Sequence, residues 1–272
     1  MLSLLRSSGV AVIDMQGTIG SAIRPLEYAR LFARLREDRH TRAVVLNIDS
    51  PGGAATGSEM MTGAVRRLAE EKPVAAFIGG VGASGAYMVA SASSRIIALQ
   101  SSIIGAIGVI SYRPVVEQAL ERIGVRMHVT KSGRLKDMLS PFREANEEEQ
   151  AKEQRLLDSL YELFVTGVAR RRGLPVERVR ELATGEVFLA AEAVDHGLID
   201  AIGDLDDAVD WVVAQSGAPR RVRIVRPRRT LRDMLLGRAS TALAEALLGR
   251  FEPVATGGGH YLYTGLGVER RM

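Results

Sequence analysis

A series of short apolar runs, each closed by a turn and followed by a stretch of different periodicity, constrains this chain more than any other feature. GVAVIDMQGTI (9–19), AVVLNID (43–49), PVAAFIG (73–79) and RIIAL (95–99) are almost continuous Val, Ile, Leu and Ala. A strand with one face in water alternates polar and apolar residues, so runs without alternation belong to strands covered on both faces. Between them, PLEYARLFARLRED (25–38) spaces its apolar residues at helical intervals, with Pro25 suited to a first turn. A second helix is predicted over 57–71, and a small-residue helix over AYMVASAS. Strands alternating with helices predict an α/β fold with a largely parallel sheet.

Beyond residue 100, SSIIGAIGVIS and VRMHVT (125–130) read as further extended pieces. EEEQAKEQRLLDSLYELFVTGVARRRG reads as one long helix, acidic at its start and basic at its end, with Gly173 placed to close it. A smaller helical region follows over 176–215. At 272 residues the chain sits near the upper size of a single hydrophobic core, which predicts one domain with appendages.

Composition removes several chemistries. Cysteine is absent, which excludes disulfides, thiolate metal sites and a cysteine nucleophile. His40, His128, His196 and His260 show no HxxxH or HxH spacing, so a metal site built on histidine pairs is not expected. No apolar run approaches the roughly 18–20 residues that span a bilayer, and the first residues turn polar too soon for a signal peptide. The expected location is cytoplasmic. The net charge is +4, and part of the positive excess is concentrated in PRRVRIVRPRRTLR (219–232). A solvated strand and turn and a peripheral contact with anionic membrane both fit that run. No recognition module or interleaved aromatics accompany it, so no nucleic-acid partner is expected.

The sharpest local feature is GGVGASGAYMVASAS (79–93). Ser84 lies between small residues, after a strand and at a helix start, where free N–H groups point at anything bound. It fits a nucleophile and equally a helix cap. It is not a GxSxG elbow, because Gly85 follows the serine directly and Ala86 takes the second glycine position. A second feature, DSPGG (49–53), ends a buried strand and can expose backbone N–H groups as an oxyanion hole does, or simply turn the chain. A third, KSGRLKDMLSPFR (131–143), carries Lys131 and Lys136. A lysine serves as base when neutral. Bringing its pKa from about 10.4 to about 7–8 takes about 4 kcal/mol, within reach of burial.

SPGG, GASGAY and SGRLKD, in this order, resemble the signal peptide peptidase A family of serine–lysine peptidases, as does the downstream GEVFLAAEAVDHGLIDAIGDLDDAV. The similarity covers residues 8–215. It implies a ClpP/crotonase-like fold of stacked parallel βα units with a protruding helical arm, and assembly into a homo-oligomeric ring. It also implies a serine endopeptidase acting on extended peptides such as remnant signal peptides or membrane-derived fragments. By the same resemblance Ser84 is the nucleophile and Lys136 the base. Gly53, Gly85 and Gly52 are the oxyanion-hole candidates, Gly52 the weakest. The expected division is a peptidase domain over 1–215, a basic strand and turn with a helix over 216–250, and a Gly-rich tail over 251–272.

The chain departs from the family where GAIGV replaces a GSIGV-like segment. Ala106 then stands at the serine that orients the base lysine, leaving Ser132, Ser101, Ser102 or water for that task. No counterpart of the family's amino-terminal anchor is expected in this sequence. Three alternatives stay open. One is an inactive scaffold or regulator. Another is an acyl-CoA-processing enzyme of crotonase type. The third is a triad of Ser84, His128 and Asp49 or Asp137.

Overall fold

The computed structural model describes residues 9–227. The chain divides into two units, 1–226 and 227–272, and every element below belongs to the first. The helix and tail expected beyond residue 230, with Arg228, Arg229, Arg232 and His260, lie outside the described residues.

The apolar runs form β1 (Gly9–Gln16), β2 (Thr41–Ser50), β3 (Val74–Ala83) and β4 (Arg95–Ala98). Four shorter strands follow: β5 (Ile103–Gly105), β6 (Val187–Leu189), β7 (Ala201–Ile202) and β8 (Val222–Ile224). They make one sheet in the order β6-β5-β3-β2-β1-β8, with β4 paired to β3 and β7. All pairs are parallel except β5 with β6. β3 forks: Ala75–Ile78 pair with β4, and Val81–Ala83 pair with β5. Its carboxyl end therefore leaves the plane of its own first half, and Ser84 follows directly.

Both faces of the sheet are covered, as the unalternating runs require. Val10, Val12, Ala43, Val45, Ala75 and Phe77 face α8 (Leu205–Ser216). The residues between them, Ala11, Ile13, Val44, Leu46 and Ala76, join the larger core on the other side. That core takes in α1 (Pro25–Glu37), α2 (Ala55–Ala69) and α3 (Gly85–Ala90). The carboxyl half of α5 (Glu147–Arg172) packs there too, followed by α6 (Val176–Leu182) and α7 (Ala190–Asp195). The short α4 is numbered here as Glu117–Arg122.

α5 has the ends its sequence predicts. Asn146 and Glu149 form a capping box, and Gly173 closes the helix at φ +66°. Arg172 in its last turn makes a two-pronged pair with Asp200, at 2.7 and 3.0 Å, while Asp200 also accepts from the Ile96 N–H. That pair ties the helix end to the β4 edge.

The stretch 125–130, expected to be extended, carries no regular structure. A strand needs a neighbour for its ladder hydrogen bonds, and no strand pairs with it here. The surrounding 110–142 segment holds its large apolar residues in solvent, among them Ile110, Tyr112, Ile123, Met127 and Leu139.

The described part of the basic run is largely engaged. Arg220 pairs with Asp206 and Asp210, and Arg226 reaches Asp14 at 3.8 Å. Arg223 bonds Asp38 at 2.7 Å and fixes β8 beside the start of β2. Burial raises the Asp38 carboxyl, but bonds from Thr41, Arg223 and the His40 N–H outweigh it and hold the pKa at about 2. A carboxyl held below its ordinary 3.8 adds stability that is present above that value and lost as the pH falls toward 2. Asp38→Asn should therefore lower stability near neutral pH by about 1 kcal/mol after solvent screening. In urea titrations the gap between the two proteins should narrow as the pH drops through about 3; a gap independent of pH would refute this account.

Candidate active site

Ser84 sits where β3 becomes α3, with φ +51° and ψ −123°. L residues avoid that region, at a cost of about 1–3 kcal/mol. Two backbone bonds hold it there. Its N–H donates to Gly105 O at 2.8 Å, and its carbonyl accepts from Met88 N–H at 2.9 Å in the first turn of α3. The side chain makes no capping bond to the helix, which removes the cap reading. Ser84 is half-buried and borders an open cleft.

The DSPGG turn comes against this corner backbone to backbone. A Cβ on Gly52 would lie 2.7 Å from Gly85 N and 2.9 Å from Ser84 Cβ, so only glycine fits. A Cβ on Gly85 would meet Ser58 Oγ at 2.1 Å and Gly53 N at 3.5 Å. Gly53 and Gly85 thus lie close together beside Ser84, and among the described residues no backbone hydrogen bond outside the helices and strands uses either N–H. The Gly52 N–H is committed to Ser50 Oγ at 3.1 Å and is not free to bind an oxyanion. Sequence reasoning passed over Ser58, the buried residue against which Gly85 packs. The small residues of ATGSEMMTG were its one signal.

Ser84, Gly53 and Gly85 open into a cleft of about 720 Å³ between α2, α3 and α5. Its walls include Met88, Leu163 and Phe164, and three arginines, Arg66, Arg170 and Arg171, that sequence reasoning did not single out.

Lys136 is not among the residues lining this cleft, and it is exposed. It lies in a turn of the 110–142 segment, its backbone N–H bonded to Gly133 O at 3.0 Å. The neighbouring Asp137 is taken by other cations. Hydrogen bonds from Arg143 and Lys131 hold its carboxyl well below the usual range. Arg143 in turn pairs with the buried Glu149 of the α5 cap. No carboxylate pairs with Lys136 among the described residues.

The structure does not assemble the histidine triad. His128 is exposed and outside the cleft, and Asp49 Oδ1 accepts from Val81 N–H at 3.0 Å. Ala106 shares the strain of Ser84, with φ +48°, and its N–H bonds Glu186 O at 2.7 Å. Ser102 cannot stand in for the missing hydroxyl there, because it is buried and donates to Ile78 O. Ser101 and Ser132 are exposed. Among the described residues no cluster of His, Asp and Glu could hold a metal ion, and no helix is long and apolar enough to cross a membrane.

Comparison with known proteins adds a family. Residues 66–218 match the model of peptidase family S49. A Synechocystis protein that carries a protease name is 37% identical over 76% of this chain and 74% of its own length. The chloroplastic serine protease SPPA of Arabidopsis thaliana is 32% identical over 89% of this chain, and protease 4 of Haemophilus influenzae is 31% identical over 74%. The chain spans 37% and 34% of the lengths of these last two. A mutant of ClpP1 from Listeria monocytogenes superposes with a TM-score of 0.51 at 13% identity, over 73% of this chain and 94% of that one. That likeness shows the ClpP-like fold.

The strain at Ser84 makes a prediction of its own. Ser84→Gly should stabilise the chain by about 1 kcal/mol in urea unfolding, because glycine adopts this backbone freely. Ser84→Ala, which keeps the Cβ, should not; equal midpoints for all three chains would argue against a strained corner.

Proposed function

Because this chain belongs to peptidase family S49, the signal peptide peptidase A family, and is a serine-type peptidase, we propose that Ser84 is its nucleophile and Lys136 its general base. The observation that carries the assignment is the corner itself: a hydroxyl on a strained turn, flanked by the unused N–H groups of Gly53 and Gly85. Ser84 Oγ attacks the scissile carbonyl carbon while a neutral Lys136 Nζ takes its proton. The carbonyl oxygen gains negative charge as the tetrahedral intermediate forms, and the two N–H groups are aimed where that charge appears. Lys136 then returns the proton to the leaving amine. Water, deprotonated by the same amine, releases the acyl group from Ser84. No step calls for a metal or cofactor.

Lys136 stands in solvent away from the cleft of its own chain. The segment that bears it also leaves Ile110, Tyr112, Ile123 and Met127 uncovered. One arrangement answers both facts. The segment of one copy covers the cleft of the next, burying those side chains and delivering the lysine to its neighbour's Ser84. A closed ring satisfies this for every copy. Burial in that contact is also the means of keeping the amine neutral.

The substrates of this reading are extended peptides, held by backbone groups at the strand ends with little dependence on sequence. A protein of Enterococcus faecium, 34% identical over 65% of this chain, carries a signal peptide peptidase name, which favours cleaved signal peptides and other membrane-derived fragments. The location that goes with them is the cytoplasm, beside the membrane. Among the described arginines of the basic run, Arg221 is left for contact with anionic lipid.

Hydrolysis of an unstructured apolar peptide, with activity climbing between about pH 7 and 9, tests the dyad. Ser84→Ala and Lys136→Ala should each be inactive alone. Unfolded together and reassembled, they should recover up to about a quarter of wild-type activity, the fraction of contacts that pair an intact serine with an intact lysine. A mixture as inactive as its parents would place the lysine within its own chain. An active Lys136→Ala would remove it as the base.

A further inference from the structure

The far end of the cleft carries positive charge that no carboxylate among the described residues pairs with at Arg170 or Arg171. α5 ends in Arg170-Arg171-Arg172, and the three side chains part. Arg172 is 9% exposed and fully paired with Asp200. Arg171 lines the cleft instead. Its Nε donates to Ser91 Oγ at 2.8 Å, and no carboxylate meets its Nη atoms among the described residues. The guanidinium lies on Gly167, where a Cβ would come within 2.9 Å of Nη1, so glycine makes the room for it. Burial, and then the charge of Arg170, pull the Arg171 pKa down to about 10. Arg170, also in the lining, is exposed and without an ion pair. Across the cleft, Arg66 shares its charge with Glu70 at 2.5 Å. The carboxylate in the lining, Glu59, makes no ion pair with any of them.

A half-buried guanidinium with an idle fork is costly unless an anion meets it, and a planar carboxylate fits that fork through two parallel bonds. The structure also sets its distance from the chemistry. Ser91 is the carboxyl cap of α3, and Ser84 precedes the first residue of the same helix. A helix of six residues is about 9 Å long. Extended peptide advances about 3.3 Å per residue, so about three residues separate the two points. Between them the cleft wall includes Met88 and Phe164.

We propose that this cleft binds a carboxylate on the peptide about three residues from the scissile bond, held by Arg171 and reinforced by Arg170. The proposal rests on the reading of Ser84 as the nucleophile at the other end. The carboxylate is either an Asp or Glu side chain or the carboxyl terminus of the peptide. The second source makes the enzyme a trimmer of free ends, and the first gives it an internal sequence preference.

The test uses the full chain carrying Ser84→Ala, which binds without turning over, and fluorescent apolar octapeptides. One pair differs only as free acid against C-terminal amide. A second series places Glu or Gln at each position in turn. Anisotropy titrations should show an acidic peptide bound about tenfold more tightly than its neutral isostere, as expected of a charge-assisted pair. The pair or position that discriminates names the source. Arg171→Gln should bring the ratio close to one, and Arg171→Lys should recover part of it. In the active chain, mass spectrometry should place the cut about three residues from the preferred carboxylate. Equal affinity for acidic and neutral peptides overturns the proposal, even where Arg171→Gln proves unstable. So does a preference that survives Arg171→Gln. A chain that discriminates in binding but cleaves nothing keeps the anion site and loses the dyad. A chain that cleaves without discriminating does the reverse.

Discussion

The contact on which the rest depends is a backbone approach: the Gly52-Gly53 turn lying against the Ser84-Gly85 corner. Side chains there would push the two apart, since a Cβ on Gly52 meets the corner at under 3 Å. Because nothing intervenes, the turn after β2 and the corner after β3 meet backbone to backbone. The strain at Ser84 is tolerated because the partners of its N–H and carbonyl lie on different elements, β5 and α3. Relaxing the corner would break both bonds. A rigid sheet end holds a strained serine against its own conformational preference.

How much of this was legible in the sequence follows from where each signal resides. The unalternating runs marked β1 to β4 because burial on both faces is written in the residues themselves. α5 was legible to within its caps, because Asn146, Glu149 and Gly173 act locally. The second helix starts at Ala55 rather than 57, since nothing but backbone marks its beginning: Ala54 makes no side-chain cap. The segment 125–130 looked like a strand because Val125, Met127 and Val129 alternate with polar residues. Alternation shows a face to bury and not a partner to bury it against, and the described residues contain none.

The site divides the same way. Glycines and Ser84 were legible because close approach leaves a compositional trace. The cleft arginines were not, since RRR at a helix end is ordinary dipole chemistry. Only the fold turns Arg172 to Asp200 and Arg171 to the cleft. Asp137 shows the reverse case. Adjacent to Lys136 in sequence, it is held by Lys131 and Arg143, so the lysine next to it has no counter-charge among the described residues. Ala106, where family resemblance suggested a serine, keeps a left-handed backbone, so the turn survives the loss of its hydroxyl.

β8 has a consequence for how the chain comes into being. It pairs with β1 through Val10–Val12 and Val222–Ile224, near the opposite ends of the described chain. During synthesis β1 acquires β2 early, yet its other edge stays open until the ribosome has released residues beyond 224. Until then the nascent sheet shows a bare apolar edge, the feature most apt to recruit a foreign strand. The same pairing makes the finished edge a check on completeness: a chain cut short before residue 222 leaves β1 half bonded.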